Sequence, residues 1–201
     1  AMIEYINNTK KTRVITVEDP IEYLFKHKNS TIDQREIGSD TNSFKNALRH
    51  VFRQDPNIIL IGEMRDLESI HIALTLAETG HLILTTLHTS DATHSISRII
   101  DIFPPYQQNQ IRLQLSMVLI GVISQKLIRR TQEKPGRTLA TEVMNVNSSI
   151  RNLIRENDLP QIYSTIQTGK KYGMHTMNQS LVDLYRRGEI AYESALQCSN
   201  N

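Results

Sequence analysis

A short apolar run, residues 58–61, leads through Gly62 into a single carboxylate, Glu63. A glutamate that follows a buried strand can accept a proton from an attacking water, and such general-base catalysis contributes roughly 10² to 10⁴ in rate. A glutamate in this place is also often a surface or salt-bridged residue. Arg65 and Asp66 follow it directly, however, and a second apolar run ends on carboxylates too. The sequence therefore predicts a hydrolytic site at Glu63.

The second apolar run, residues 13–17, ends on Glu18 and Asp19, and Pro20 then stops the strand. Many nucleotide hydrolases carry a metal-binding aspartate beside the base, at the position that Gly62 occupies in this sequence. Glu18 or Asp19 is therefore the candidate for an acid near a metal ion. The alternative is that both acids are cap and turn residues before the proline.

Two histidines, His81 and His88, stand at the two ends of a third apolar run, residues 82–87. A histidine at the end of a strand can hydrogen-bond a phosphate or respond to its loss, although a lone histidine there is usually structural. The spacing of seven residues puts the two side chains too far apart to share a zinc ion. The sequence therefore excludes metal binding by this pair.

A phosphate-binding loop of the form GxxxxGK[ST] is absent from these residues. The string Gly169-Lys170-Lys171 has no glycine five residues ahead and no serine or threonine after Lys170, so it is not such a loop. Arginines can stabilise phosphoryl charge, although most helical arginines are solvated. Four arginines are expected on helices or turns close to the strand ends that carry Glu18 and Glu63. They are Arg49, Arg53, Arg65 and Arg98.

Apolar runs without polar alternation, separated by helical periodicity, predict an α/β fold with a parallel sheet between helices. Ligands of such sheets bind at the carboxyl ends of the strands, where Glu18, Glu63 and His88 are expected. Residues 26–43 read as polar and turn-rich. The other predicted elements are helices over 44–52, 66–79 and 106–127, a short helix after Asp91, a strand over 138–146 and helices from 147 onward.

Composition favours a globular protein of a reducing compartment. The 23 basic and 21 acidic residues give a net charge of +2 with no basic tract, which argues against nucleic-acid binding. The single cysteine, Cys198, permits no internal disulfide and favours the cytoplasm. The longest apolar stretches fall far short of the roughly 20 residues of a membrane span, so no direct membrane insertion is expected.

Four segments of the sequence closely resemble the secretion ATPases, in particular the retraction motors of type IV pili. In that family the first segment holds the acidic Asp box, the second an atypical Walker B motif and the third the His box. The resemblance implies a RecA-like core over 1–146, a carboxyl-terminal helical subdomain over 147–201, ATP and Mg²⁺ as ligands, and a part in twitching motility. The segments are VITVEDPIEY, SFKNALRHVFRQDPNIILIGEMRD, AETGHLILTTLHTSDA and SSIRNLIRE.

The resemblance also implies roles for single residues. Glu63 looks like the catalytic glutamate of Walker B, and Glu18 looks like the principal Asp box acid, with both near Mg²⁺ and contacting it indirectly. The remaining residues of these boxes would bind the nucleotide or sense its phosphate: His88, His81, Arg65 and Asp66.

Residues 148–156, SSIRNLIRE, resemble the AIRNLIRE motif of retraction motors, with Ser149 in place of the first alanine. Extension motors and type II secretion ATPases typically carry a four-cysteine zinc module, which one cysteine cannot build. Retraction is therefore favoured, and pilus assembly or type II secretion is a minor alternative. The motif comprises Ser149, Ile150, Arg151, Asn152, Leu153, Ile154, Arg155 and Glu156.

Members of this family carry an amino-terminal domain and a Walker A loop ahead of a helix that resembles AMIEYINNTKK, where this chain starts. We therefore expect a carboxyl-terminal portion of a motor, which alone neither binds ATP tightly nor hydrolyses it and assembles weakly into the family's homo-hexamer. The expected partner is the pilus platform protein of the inner membrane, with the chain cytoplasmic and peripheral to that membrane. The alternative is a non-catalytic module that binds the platform or co-assembles with intact subunits.

Overall fold

A computed structural model describes residues 1–64, 66–131, 133 and 135–199 of the chain. The chain folds as two compact units, Ala1–Leu87 and His88–Asn201. The division into a core over 1–146 and a helical subdomain over 147–201 stays a prediction.

The first unit alternates helices and strands along the chain. The apolar strands predicted around residues 13–17, 58–61 and 82–87 are all present, as are the helices predicted over 44–52 and 66–79. Its elements are α1 (Met2–Thr9), β1 (Arg13–Glu18), β2 (Thr31–Glu36), α2 (Phe44–Val51), β3 (Ile58–Ile61), α3 (Leu67–Glu78) and β4 (Leu82–Thr85).

The four strands form one parallel sheet in the order β2-β1-β3-β4. Val17 of β1 pairs with Ile61 of β3, and Ile61 pairs with Thr85 of β4. The carboxyl ends of these three strands therefore reach the same edge of the sheet. This arrangement confirms the predicted parallel α/β fold.

Both faces of the sheet are covered by apolar side chains. Ile3 of α1 packs with Val14, Ile32 and Ile58, which share one face because partner residues of parallel strands point the same way. Their neighbours along the strands point to the other face, where Ile15, Val17, Ile59 and Ile61 are fully buried. Helix α2 contacts β1, and α3 contacts β4. The sheet therefore lies between helices.

Strand β2 was missed in the sequence, where residues 26–43 read as polar and turn-rich. The strand has the sequence TIDQRE, and Ile32 is its one buried side chain. It lies at the edge of the sheet, where one strand neighbour supplies the backbone hydrogen bonds and polar side chains remain partly hydrated. Pairing with β1, and not hydrophobic periodicity, makes this segment a strand.

The second unit combines helices with a two-stranded antiparallel sheet. Strands β5 and β6 pair from Gly121↔Asn145 to Arg129↔Arg137, and a cluster of apolar side chains from β5, β6 and α8 forms a core. As predicted, the regular elements described after residue 147 are helices, although His175 forms an isolated β-bridge with Val143. The elements are α4 (Ala92–Asp101), α5 (Pro105–Val118), β5 (Gly121–Arg129), β6 (Arg137–Asn145), α6 (Ser148–Arg155), α7 (Pro160–Thr168), α8 (Met177–Arg186) and α9 (Tyr192–Cys198).

The single helix predicted over 106–127 is wrong. Helix α5 ends at Val118, and the following residues form β5. A Cβ atom on Gly121 would stand 2.7 Å from the carbonyl oxygen of Met144 on β6, so the glycine permits the close approach of the two strands. The predicted strand over 138–146 is present as β6, but it belongs to this antiparallel pair and not to the parallel sheet.

No helix in the described part of the chain is long and apolar enough to cross a membrane.

Candidate functional site

Two predicted site residues, Glu18 and Glu63, come from neighbouring strands of the first unit. Glu18 is the last residue of β1, and Glu63 stands two residues beyond the end of β3. The Gly62 N–H donates to the carbonyl oxygen of Val17 at 2.8 Å, which carries the pairing of the two strands up to the carboxylates. The structure therefore places both glutamates at the carboxyl edge of the sheet, where parallel α/β folds bind ligands.

Gly62 allows the two strands to approach closely at this edge. A Cβ atom at position 62 would stand 3.3 Å from Glu18 Cα and 3.3 Å from the Val17 carbonyl oxygen. Both are backbone atoms, which cannot rotate away as a side chain can. Any larger residue at position 62, including the aspartate expected in many nucleotide hydrolases, would require β3 and β1 to move apart by a few tenths of an ångström.

The segment that carries Glu63 is anchored at both ends. The Thr86 hydroxyl donates to the carbonyl oxygen of Gly62, which ties the peptide before Glu63 to the chain that follows β4. Asp66 caps α3 and accepts from the Ser69 N–H at 2.8 Å and the Ser69 hydroxyl at 2.7 Å. The residues on both sides of Glu63, Gly62 and Asp66, are therefore hydrogen-bonded within the first unit. Arg65, predicted to support the same site, lies outside the described residues.

The Glu18 carboxylate is oriented by neutral donors. Its Oε1 accepts from the Thr16 hydroxyl at 2.6 Å and from the Gln34 side-chain amide at 3.1 Å. The alternative metal-site acid, Asp19, is exposed. Gln34 lies on β2, the strand that sequence reasoning missed, and its own sequence context carries no signal for this contact.

The carboxylates at this edge are too few to hold a metal ion by themselves. Among the residues that the structure describes, no three His, Cys, Asp or Glu side chains come close enough together to do so. One or two carboxylates suit Mg²⁺ when phosphates and waters supply the other oxygen ligands. Glu18 and Glu63 therefore fit an indirect role beside a nucleotide-bound ion.

His81 does not reach this edge. It directly precedes β4, and therefore lies at the amino edge of the parallel sheet, opposite to the carboxylates. Its Nδ1 lies 3.0 Å from both the Leu76 carbonyl oxygen and the Thr79 hydroxyl, and its ring packs edge-on against Phe52. Through these contacts His81 packs against the carboxyl-terminal end of α3. The predicted phosphate contact of His81 has no counterpart in this unit and stays a prediction.

His88 begins the second unit and is exposed. Its carbonyl oxygen accepts from Arg98 Nη1 at 3.4 Å, and the Thr89 and Ser95 hydroxyls lie 2.6 Å apart. Asp91 then caps α4 by accepting from the His94 N–H at 2.9 Å. The segment after His88 is thus fastened to the first turns of α4.

The Asp91 carboxyl has a lowered pKa. Burial opposes its ionisation, but hydrogen bonds from the His94 backbone and ring and from the Ser90 hydroxyl outweigh that effect and hold the pKa below the ordinary value of 3.8. The ionised carboxylate of Asp91 therefore stabilises the amino-terminal end of α4.

Sequence reasoning also missed Glu142, which is 1% exposed on β6. Its two carboxylate oxygens accept from the Ala92 N–H at 2.9 Å and from the Met177 N–H at 3.3 Å, so one side chain joins the starts of α4 and α8. The alternation of buried Ala140, Glu142 and Met144 along β6 is the signal that could have found it.

Comparison with known proteins then decides the family. The family model described as "Type II/IV secretion system protein" matches residues 1–191. The chain belongs to this family.

Three known proteins are similar to the chain over its whole length or nearly so. The twitching motility protein of Neisseria gonorrhoeae is 49% identical over 201 residues, which are 100% of this chain and 54% of that protein. The type IV pilus retractation ATPase PilT of Pseudomonas aeruginosa is 48% identical over 195 residues, or 97% of this chain and 56% of that protein. A crystal structure of the pilus retraction motor PilT with bound ADP superposes with a TM-score of 0.92 at 52% identity, covering 100% of this chain and 56% of that one.

The chain thus spans about half the length of the relatives that it matches. The fold also recurs at lower identity. The Legionella pneumophila ATPase DotB matches with a TM-score of 0.86 at 25% identity over 98% of this chain and 54% of that one. The predicted kinship with retraction motors is confirmed by these matches.

Within this secretion-family chain, the segment that resembles the retraction motif forms helix α6 and divides into two faces. Ile150 and Ile154 are fully buried, and Leu153 is half-buried. Arg151 Nη1 donates to the carbonyl oxygens of Ser116 and Met117, at 2.6 and 2.5 Å, and so caps the last turn of α5. The exposed residues of the segment are Ser149, Asn152, Arg155 and Glu156.

Proposed function

We propose that this chain is the carboxyl-terminal part of an ATP-hydrolysing motor that retracts type IV pili. The observation that supports the proposal is the pair of carboxylates, Glu18 and Glu63, at the carboxyl edge of adjacent parallel strands. They stand within motifs of a chain that is 48–49% identical to proteins named for twitching motility and pilus retraction.

The two carboxylates divide the chemistry between them. Glu63 accepts the proton of the water that attacks the terminal phosphate, because a fixed carboxylate at a strand end can act as a general base. Glu18 holds its negative charge beside the phosphates and orients the waters there. Mg²⁺, when bound with ATP, supplies neutralisation of the phosphoryl charge.

The 201 residues do not contain the loop that binds the phosphates of ATP in such hydrolases. Backbone N–H groups, a lysine and a hydroxyl of the GxxxxGK[ST] loop supply most of the binding in such hydrolases, and the chain has no such loop. The 201-residue chain alone therefore neither binds ATP tightly nor hydrolyses it.

The wider assignments rest on the family resemblance. They are a homo-hexamer that this chain alone forms weakly, a cytoplasmic position, and peripheral attachment to the inner membrane through the pilus platform protein. His88 and His81 take the part of phosphate sensors in that assembly, and the exposed face of α6 meets a partner.

The test compares three proteins for binding of a fluorescent ATP analogue with Mg²⁺. They are the chain itself, an extended chain in which a family member's amino-terminal domain and phosphate loop precede Ala1, and the extended chain with Glu63→Gln. We expect saturable binding by both extended proteins and hydrolysis by the unsubstituted one alone. The matched control is Glu193→Gln in the extended chain, which changes an exposed carboxylate of α9 and should leave hydrolysis intact.

Tight binding by the short chain would contradict the need for the loop. Full hydrolysis by the Glu63→Gln protein would remove Glu63 from the role of base.

A further inference from the structure

Gln34 on the edge strand β2 makes three hydrogen bonds with its side-chain amide. Its Nε2 donates to Glu18 Oε1 at 3.1 Å and to the Tyr23 carbonyl oxygen at 2.9 Å. Its Oε1 accepts from the Phe25 N–H at 2.7 Å. Both amide hydrogens are thus used, and this half-buried side chain joins the Glu18 carboxylate to the loop that follows β1.

The strand register explains why a glutamine can do this. Thr16 pairs with Gln34 across β1 and β2, and Glu18 lies two residues further along β1 on the same face. The amide of Gln34 therefore reaches diagonally toward the end of β1. An asparagine is one methylene shorter and would fall short of this contact.

The second donor to Glu18 is the hydroxyl of Thr16, which is 0% exposed. Both donors meet Oε1, and among the described residues no hydrogen bond reaches Oε2. One carboxylate oxygen is therefore fixed within the protein while the other is left for a ligand.

The chemical nature of the donors matters as much as their position. An arginine or lysine beside Glu18 would neutralise the carboxylate, whereas an amide and a hydroxyl orient it and leave its negative charge in place. No ion pair among the described residues involves Glu18. The arrangement suits a carboxylate that must present charge to a cation or its bound water.

We propose that Gln34 is a positioning residue for the reaction, one that acts through Glu18. Together with Thr16 it fixes Oε1, so that Oε2 is presented to the Mg²⁺-bound waters of the nucleotide, and it holds the loop at Tyr23 and Phe25 in the same unit. This inference rests on the role assigned to Glu18 under the proposed function.

The kinetic test uses ATP hydrolysis by the extended chain. Gln34→Leu removes the amide and should lower kcat roughly tenfold, while KM for ATP stays within about twofold, because the substitution removes an orienting contact and not a substrate contact. Thr16→Val should behave in the same way, and Thr16→Ser, which keeps the hydroxyl, should stay near the unsubstituted kcat. Gln110→Leu on the exposed surface of α5 is the matched control.

Coupling to Glu18 separates this inference from the proposed function. In a Glu18→Gln background the added Gln34→Leu change should have no further effect on kcat, because the group through which Gln34 acts is already altered. If Glu18→Gln lowers kcat and Gln34→Leu does not, the inference on Gln34 is overturned while the role of Glu18 stands. If Glu18→Gln leaves kcat unchanged, the proposed role of Glu18 fails and the inference falls with it.

A second measurement does not depend on activity. Amide hydrogen exchange by NMR on the short chain should show the Phe25 amide exchanging at least about tenfold faster in Gln34→Leu, because its acceptor is lost. The Ile21 amide, which donates to Glu36 Oε2 at 2.9 Å, is the internal control and should be unchanged. Equal protection of Phe25 with and without the amide would overturn the claim that Gln34 holds the loop.

Discussion

At the scale of single residues, Gly62 shows how backbone packing determines which side chains the site can have. The two backbone atoms that a Cβ atom would meet belong to the strand that carries Glu18. A second acid beside Glu63 on β3 would require the two strands to move apart by a few tenths of an ångström, and in this chain β1 carries the neighbouring acid.

We expect Gly62→Ala to destabilise the first unit by about 1–3 kcal/mol, because an added methyl group at 3.3 Å from two backbone atoms must displace one strand. Urea denaturation of the short chain measures this change in the free energy of unfolding. In the extended chain, the same substitution should lower kcat by moving Glu63. A stability equal to that of the unsubstituted chain would mean that the strands adjust freely here.

The ionisation of Asp91 makes the stability of the second unit depend on pH, in a direction that its pKa shift determines. Its pKa in the folded chain is lower than the ordinary 3.8, so its contribution to stability is complete above that value and is lost as the pH falls through the lower folded pKa. Asp91→Ala also removes the α4 cap, at a cost of about 1 kcal/mol at neutral pH.

Urea titrations at pH 7 and at pH 3 check this expectation. The difference in unfolding free energy between Asp91→Ala and the unsubstituted chain should be smaller at pH 3. A difference that grows on acidification would contradict the direction of the pKa shift.

At the scale of elements, the segment that resembles the retraction motif forms helix α6, which packs within the second unit. Its isoleucines are buried and Arg151 caps the preceding helix α5, so part of the segment serves the fold of the second unit. Substitutions within it therefore divide into those that disturb the fold and those that change the exposed face alone.

We expect Arg151→Ala to cost about 1–2 kcal/mol, because the Ser116 and Met117 carbonyl oxygens lose a charged donor at the end of α5. The matched control is Arg155→Ala on the same helix, where the exposed guanidinium bonds to Asn152 and the change should stay within about 0.5 kcal/mol. Thermal and urea unfolding measure both. Equal losses from the two substitutions would show that the α5 cap contributes nothing.

At the scale of the whole molecule, the chain carries two glutamates at the carboxyl edge of a parallel sheet, its 201 residues contain no GxxxxGK[ST] loop, and it spans about half the length of its relatives. In the sheet of the first unit, β4 is an edge strand, and Leu82 and Leu84 on it pack against the buried cluster that includes Ile3 and Ile58 while remaining partly exposed. An edge of this kind is available for further pairing.

We therefore expect the short chain to sediment as species smaller than a hexamer, and the extended chain to form the ring at the same concentration. Sedimentation velocity with and without Mg²⁺ and ATP checks both. A hexamer of the short chain would show that its 201 residues suffice for assembly.

The sequence by itself determined the strands that carry Glu18 and Glu63 and the helices α2 and α3. Those elements have local signals: apolar runs, the cap Asp66, and Gly80, which adopts the left-handed conformation at φ +97. Parallel pairing of apolar strands then brings both acids to one edge, so this part of the site was readable from the sequence.

The tertiary structure alone decided the rest. Strand β2 forms because it pairs with β1, and β5 forms because it pairs with β6. The periodicity of residues 31–36 and 121–129 predicted neither strand. For the same reason the partners of Gln34 and Glu142 could not be read from the sequence. Hydrogen bonds between side chains of distant elements depend on register and packing, which the chain acquires only when it folds.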